Sequence, residues 1–132
     1  MHPKLDLIGI VVSDMARSLA FYRALGLEIP PNADAEGHVE VALPGGVRLA
    51  WDTEAVIRSF DETFAPVAGA GRVGLAFLCD SPAAVDATYA ALTSQGYHGH
   101  KAPWDAFWGQ RYAIVQDPDG TEVSLFAPLG EA

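Results

Sequence analysis

The sequence predicts an α+β fold made of two tandem βαβββ modules, and three observations carry that prediction. A short β-branched apolar run, residues 5–13, stops at Asp14, and the following residues 15–25 place Met15, Leu19, Tyr22 and Leu25 at helical spacing. The same order returns in the second half, as an apolar run over residues 73–79, a helix start at Asp80-Ser81-Pro82 and a helix over residues 83–94. Strand-length segments divided by turn residues follow each helix.

In the first module, Asp14 is read as the helix N-cap and Gly26 as its left-handed stop. Leu27-Glu28-Ile29 reads as a strand ended by Pro30-Pro31-Asn32. Residues 38–43 and 47–52 then form a hairpin across Pro44-Gly45-Gly46. Residues 53–71 are weakly periodic and interrupted by Pro66, Gly69 and Gly71, so they read as a connector with at most a helical turn.

In the second module, aligning Asp80 with Asp14 superposes strand on strand and helix on helix. Three more strands are expected over residues 97–101, 110–116 and 121–127, and Asp117-Pro118-Asp119-Gly120 is a type I turn between the last two. The chain therefore reads as one domain, 1–132, with modules over residues 1–65 and 72–132.

Composition limits the function. With 17 Asp and Glu against 8 Lys and Arg, the formal net charge is −9, which repels phosphate backbones and anionic membranes. No nucleic acid and no membrane partner is expected. Half of the residues are hydrophobic, which argues against disorder, yet no apolar run approaches the ~20 residues of a membrane span. Residues 1–6 lack the basic and apolar regions of a signal peptide, so a cytoplasmic location is expected. The single cysteine, Cys79, ends an apolar run and reads as a packing residue.

The stretch Ile8-Gly9-Ile10-Val11-Val12-Ser13-Asp14-Met15-Ala16-Arg17-Ser18-Leu19-Ala20-Phe21-Tyr22, taken with Trp108-Gly109-Gln110-Arg111 and Asp117-Pro118-Asp119-Gly120-Thr121, resembles the vicinal-oxygen-chelate superfamily. That superfamily includes glyoxalases, bleomycin-resistance proteins and dioxygenases, and the resemblance covers almost the whole chain. It implies a curved mixed sheet around a concave cavity, completed by homodimerisation. It also implies, in the enzymes, a divalent metal held by His, Glu or Gln from both modules.

The metal positions implied by that resemblance fall on Leu7, on a residue near Ala50, on Gly74 and on Ser124. None is an imidazole or carboxylate, Arg48 would repel a cation, and Asp52 lies one strand step away. Glu122 shares a strand face with Ser124, and His98 and His100 share a face across Gly99, so Glu122, His98 and His100 form the alternative, shifted set. The expectation is no metal and no cofactor. Gly69-Ala70-Gly71-Arg72 precedes a strand and is no phosphate loop, and no nucleophile elbow is present.

The informative stretch is Pro103-Trp104-Asp105-Ala106-Phe107-Trp108-Gly109, expected as a loop, whose rings either plug the core edge or wall a ligand cavity. The expected ligand-binding set is Trp104, Phe107, Trp108, Trp51, Phe60, Tyr112, Ser124 and Glu122, with no catalytic residue. For Trp51 the strand phase is ambiguous, and of Arg111 and Tyr112 only one can face a cavity. Net negative charge favours a cationic ligand, and the flat ring faces favour an aromatic one. Three readings follow: a metal-free small-molecule binding protein of the bleomycin-resistance type, serving drug sequestration or self-resistance; a metal-dependent lyase or dioxygenase with shifted ligands; and a dimeric interaction module.

Overall fold

A computed structural model describes residues 2–66 and 73–130. Residues 67–72, which include Gly69 and Gly71 of the connector and Arg72 at the start of the second module, lie outside the described residues. The chain divides into two compact units, Met1–Pro66 and Val67–Ala132.

In the first unit, β1 (Leu7–Val12) leads into α1 (Met15–Ala24). The helix begins there because the Asp14 side chain accepts the Arg17 N–H, and it ends before Gly26, whose φ of 107° supplies the left-handed turn. The strands β2 (His38–Ala42) and β3 (Arg48–Thr53) form the expected hairpin, and β3 also pairs parallel with β1, so the sheet order is β1-β3-β2. The helix α2 (Glu54–Phe60) follows, capped by Thr53, where only a helical turn was expected.

One expected strand is absent. Leu27-Glu28-Ile29 is irregular and runs into a 3₁₀ turn, Pro31–Ala35. The reason is local: Pro30 and Pro31 have no N–H for a ladder, and Arg23 takes the carbonyls of Ile29 and Pro30 at 3.1 and 2.7 Å. Ile29 nevertheless anchors in the core.

In the second unit, β4 (Leu75–Leu78) precedes α3 (Pro82–Ser94). Ser81, not Asp80, caps this helix through the Ala84 N–H, so the internal repeat superposes Asp14 on Ser81. The strands β5 (Gly99–Ala106), β6 (Gln110–Gln116) and β7 (Glu122–Pro128) complete a four-stranded sheet of order β4-β7-β6-β5. Asp117 organises the turn before β7, accepting the N–H groups of Asp119 and Thr121.

The strand β5 runs five residues beyond the expected end at Lys101 and takes in Pro103 and Trp104, which were expected in a loop. It is an edge strand, where a missing proline N–H costs little. Two register shifts, between Gly99 and Lys101 and between Lys101 and Trp104, each set one extra residue of β5 against β6.

Each sheet buries one face beneath its helix. In the first unit Ile10, Val12, Leu49 and Trp51 pack with Leu19, Phe21 and Tyr22 of α1; in the second, Ala113, Val115, Val123 and Leu125 pack with Val85 and Leu92 of α3. Because strand side chains alternate, the residues between these form an opposite face in each unit.

Candidate functional site

On β6, Ala113 and Val115 are buried and Arg111 reaches α3, donating to both carboxylate oxygens of Asp86 at 2.9 and 3.2 Å. Tyr112 must therefore occupy the face turned away from the helix. On β7 the same alternation buries Val123, Leu125 and Ala127 and leaves Glu122, Ser124 and Phe126 beside Gln116, Ile114 and Tyr112. The register brings Trp104 of β5 opposite Tyr112, and the turn after β5 returns Trp108 over both.

These rings form one cluster. Trp104 meets Tyr112 at 5.4 Å and Trp108 at 6.0 Å between centroids, and Trp108 meets Tyr112 at 5.3 Å, all edge to face. Phe126 stacks on Tyr112 at 6.3 Å. Such contacts contribute roughly 0.5–1.5 kcal/mol each beyond area burial. The rings are thus held in place without a ligand. The Trp108 indole N–H donates to Gln110 Oε1 at 2.8 Å, which fixes its orientation. Phe107 stands at the turn, 97% exposed, with its ring 5.0 Å from Trp108.

The polar border is set by β5 and β7. Lys101 Nζ lies 4.2 Å from the centroid of the Trp104 ring. His100 Nε2 is 3.4 Å from Glu122, and the His98 and His100 rings are 6.4 Å apart. Ser124 stands between Ile114 and Ala76 in the strand register, a hydroxyl among apolar neighbours.

The structure thus joins Trp104, Trp108 and Tyr112 with Phe107 at their edge, and it lines Ser124 and Glu122 along the same sheet face. Trp51 is a correction. Trp51 is fully buried in the first unit, its ring 5.2 Å from Tyr22, because the β1–β3 register puts it beside Ile10 on the α1 side. It cannot wall an exposed site. Phe60 ends α2 in the first unit and is solvent-exposed. Phe126 escaped the sequence reading, although its two-residue spacing from Ser124 on one strand was the available signal.

The opposite face of the first unit carries a different arrangement. His38 Nδ1 is 2.5 Å from Asp52 and its Nε2 is 2.9 Å from Glu40; Arg48 pairs with Glu40 at 2.6 Å and with Asp6 at 2.5 Å. Hydrogen bonds to Glu40 and then Asp52 raise the His38 pKa above its ordinary 6.5, and those from His38 and then Arg48 hold Glu40 below its ordinary 4.5. Cys79 is half-buried after β4, and loss of solvation raises its thiol pKa, the setting of an unreactive cysteine.

The family metal does not fit these residues. Leu7 lies beside Arg48 in the strand register, Ala50 beside Gly9, and Ser124 beside Ile114 and Ala76. A serine hydroxyl is the only side-chain oxygen at those positions, short of the three donors a divalent site needs. Among the described residues no group of three His, Cys, Asp or Glu is arranged to hold a metal ion. The carboxylates of Asp52 and Glu40 approach opposite nitrogens of one imidazole and do not converge on a point.

Comparison with known proteins agrees with the fold. The Glyoxalase/Bleomycin resistance protein/Dioxygenase superfamily model matches residues 4–125, and the chain belongs to that superfamily. Among solved structures, a glyoxalase/bleomycin resistance protein/dioxygenase from Nocardioides is 25% identical with a TM-score of 0.73, over 100% of this chain and 87% of that one. A member of the superfamily from Sphaerobacter thermophilus is 27% identical with a TM-score of 0.68, over 96% and 98%. A family enzyme from Burkholderia phytofirmans, 20% identical over 96% and 100% with a TM-score of 0.79, shares the fold. No curated protein matches the chain. Among the described residues no helix is long and apolar enough to cross a membrane.

Proposed function

We propose that this chain is a small-molecule binding protein that works without a metal, and that the aromatic wall of Trp104, Trp108, Tyr112 and Phe126 is its ligand surface. The observation that carries the reading is the prearranged cluster itself: four rings locked by mutual edge and stacking contacts on the sheet face that the helix leaves uncovered. Rigid flat rings bind planar or amphipathic molecules with little ordering cost. Ser124 and Glu122, on the same face, supply the directional polar contacts such a site needs. A role in drug sequestration or self-resistance, in the cytoplasm and as a homodimer, fits this chemistry and the superfamily.

Calorimetric titration with planar aromatic compounds tests the reading. Trp104→Ala and Trp108→Ala should each weaken binding about tenfold or more, equivalent to about 1.4 kcal/mol. Binding that survives both substitutions overturns it. Elemental analysis after incubation with nickel, zinc, iron or manganese and desalting tests the metal-free part. Stoichiometric metal would favour a lyase or dioxygenase and direct attention to His98, His100 and Glu122. Sedimentation velocity tests the homodimer.

A further inference from the structure

Building on that reading, we propose that the ligand is an aromatic acid, its ring on the Trp108 and Tyr112 surface and its carboxylate on the Lys101 ammonium. The net charge of −9 argues for a cation, but surface charges more than about 8–10 Å away are largely screened at physiological salt. The groups beside the rings decide the local preference.

The charged group in contact with the rings is a cation. Lys101 Nζ lies over the Trp104 ring at 4.2 Å and, among the described residues, has no carboxylate partner. Arg23, Arg48, Arg58 and Arg111 each have one, while Lys4 and Arg17, in the first unit, also lack one among the described residues. Asp105 pairs with Arg111 at 3.2 Å, and Glu122, on the same face as the rings, lies beside His100 at 3.4 Å and opposite Gln116, four strand positions along β6 from Tyr112.

The bulges of β5 bring this about. They set Lys101 opposite Ile114 and Trp104 opposite Tyr112, on one face, although the two are three positions apart in sequence, an odd spacing that regular alternation would put on opposite faces. The Trp104 face that would attract a cationic ligand is already occupied by the protein's own cation. A cationic ligand would meet a like charge there. A carboxylate would instead gain a charge-assisted hydrogen bond from an ammonium that has no competing partner.

The test uses three probes of matched shape, 2-naphthoate, 2-naphthylmethanol and (2-naphthyl)trimethylammonium, titrated calorimetrically into the full-length protein at low and high salt. The naphthoate is expected to bind at least about tenfold tighter than either other probe, with the advantage shrinking as salt rises. Lys101→Gln should reduce the naphthoate to the affinity of the alcohol, while Lys101→Arg keeps the preference; unchanged melting temperatures show that both variants fold. Equal or tighter binding of the alcohol or the cation, or a naphthoate preference that persists in Lys101→Gln, overturns the ligand class and leaves the aromatic wall standing. If no probe binds, the wall itself fails as a ligand surface, and the inference with it.

Discussion

His38 and Asp52 face each other across β2 and β3, with His38 Nδ1 2.5 Å from the carboxylate, and Glu40 closes on the other ring nitrogen. Both ring nitrogens can donate only when the imidazole is protonated, so the folded state favours the charged form. The His38 pKa is raised, so its contribution to stability is complete below 6.5 and is lost as pH rises through the folded-state value. The Glu40 pKa is lowered, so its contribution is present above 4.5 and is lost as pH falls through its folded-state value. The stability difference between the native protein and His38→Gln should therefore be greatest between those two values and shrink on either side. Thermal melts across pH check this, and an NMR titration should place His38 above 6.5, moving down in Asp52→Asn. The network is exposed, so the effect should be small and salt-sensitive.

Trp51 is the largest fully buried side chain, and its indole N–H has no hydrogen-bond partner among the described residues. Trp51→Ala should cost about 3–5 kcal/mol through lost burial and a cavity. Trp51→Phe should cost clearly less, since it removes less volume and also the unsatisfied donor. Denaturant unfolding measures both, and ligand affinity should be unchanged in Trp51→Phe.

Gly99 begins β5 beside Tyr89 and Thr93 of α3. A Cβ there would overlap the Tyr89 hydroxyl and lie 2.7 Å from its Cζ and 3.0 Å from the Thr93 methyl. Gly99→Ala should destabilise by about 1–3 kcal/mol, because the ring must leave its packed position. Combined with Tyr89→Ala, the penalty should be less than the sum of the two single changes, as a double-mutant cycle would measure.

Asp14 and Ser81 cap the two long helices in equivalent ways, accepting the N–H of the residue three positions on at 3.0 and 3.1 Å. Asp14→Ala and Ser81→Ala should each cost about 1 kcal/mol, while Asp80→Ala should cost little. Equal losses at Asp80 and Ser81 would contradict the corrected alignment of the two modules.

Much of this architecture is legible in the sequence, because helix caps, turn residues and apolar periodicity are local signals. Asp14, Gly26, Ser81-Pro82 and the Asp117-Pro118-Asp119-Gly120 turn fix where elements begin and end, and the duplicated order gives the fold class. The absence of imidazole or carboxylate at Leu7, Ala50, Gly74 and Ser124 is likewise plain from residue identity. Tertiary structure decided the rest. Whether Trp51 faces a helix or an open surface depends on the pairing of β3 with β1, some forty residues away in sequence. The capture of the Ile29 and Pro30 carbonyls by Arg23 removes a strand that composition alone suggests. The bulges of β5, set by its pairing with β6, gather Lys101, Trp104 and Tyr112 onto one face. Local propensity determines which residues form an element, but side-chain phase and the company each ring keeps are set by register between strands, which only the folded chain specifies.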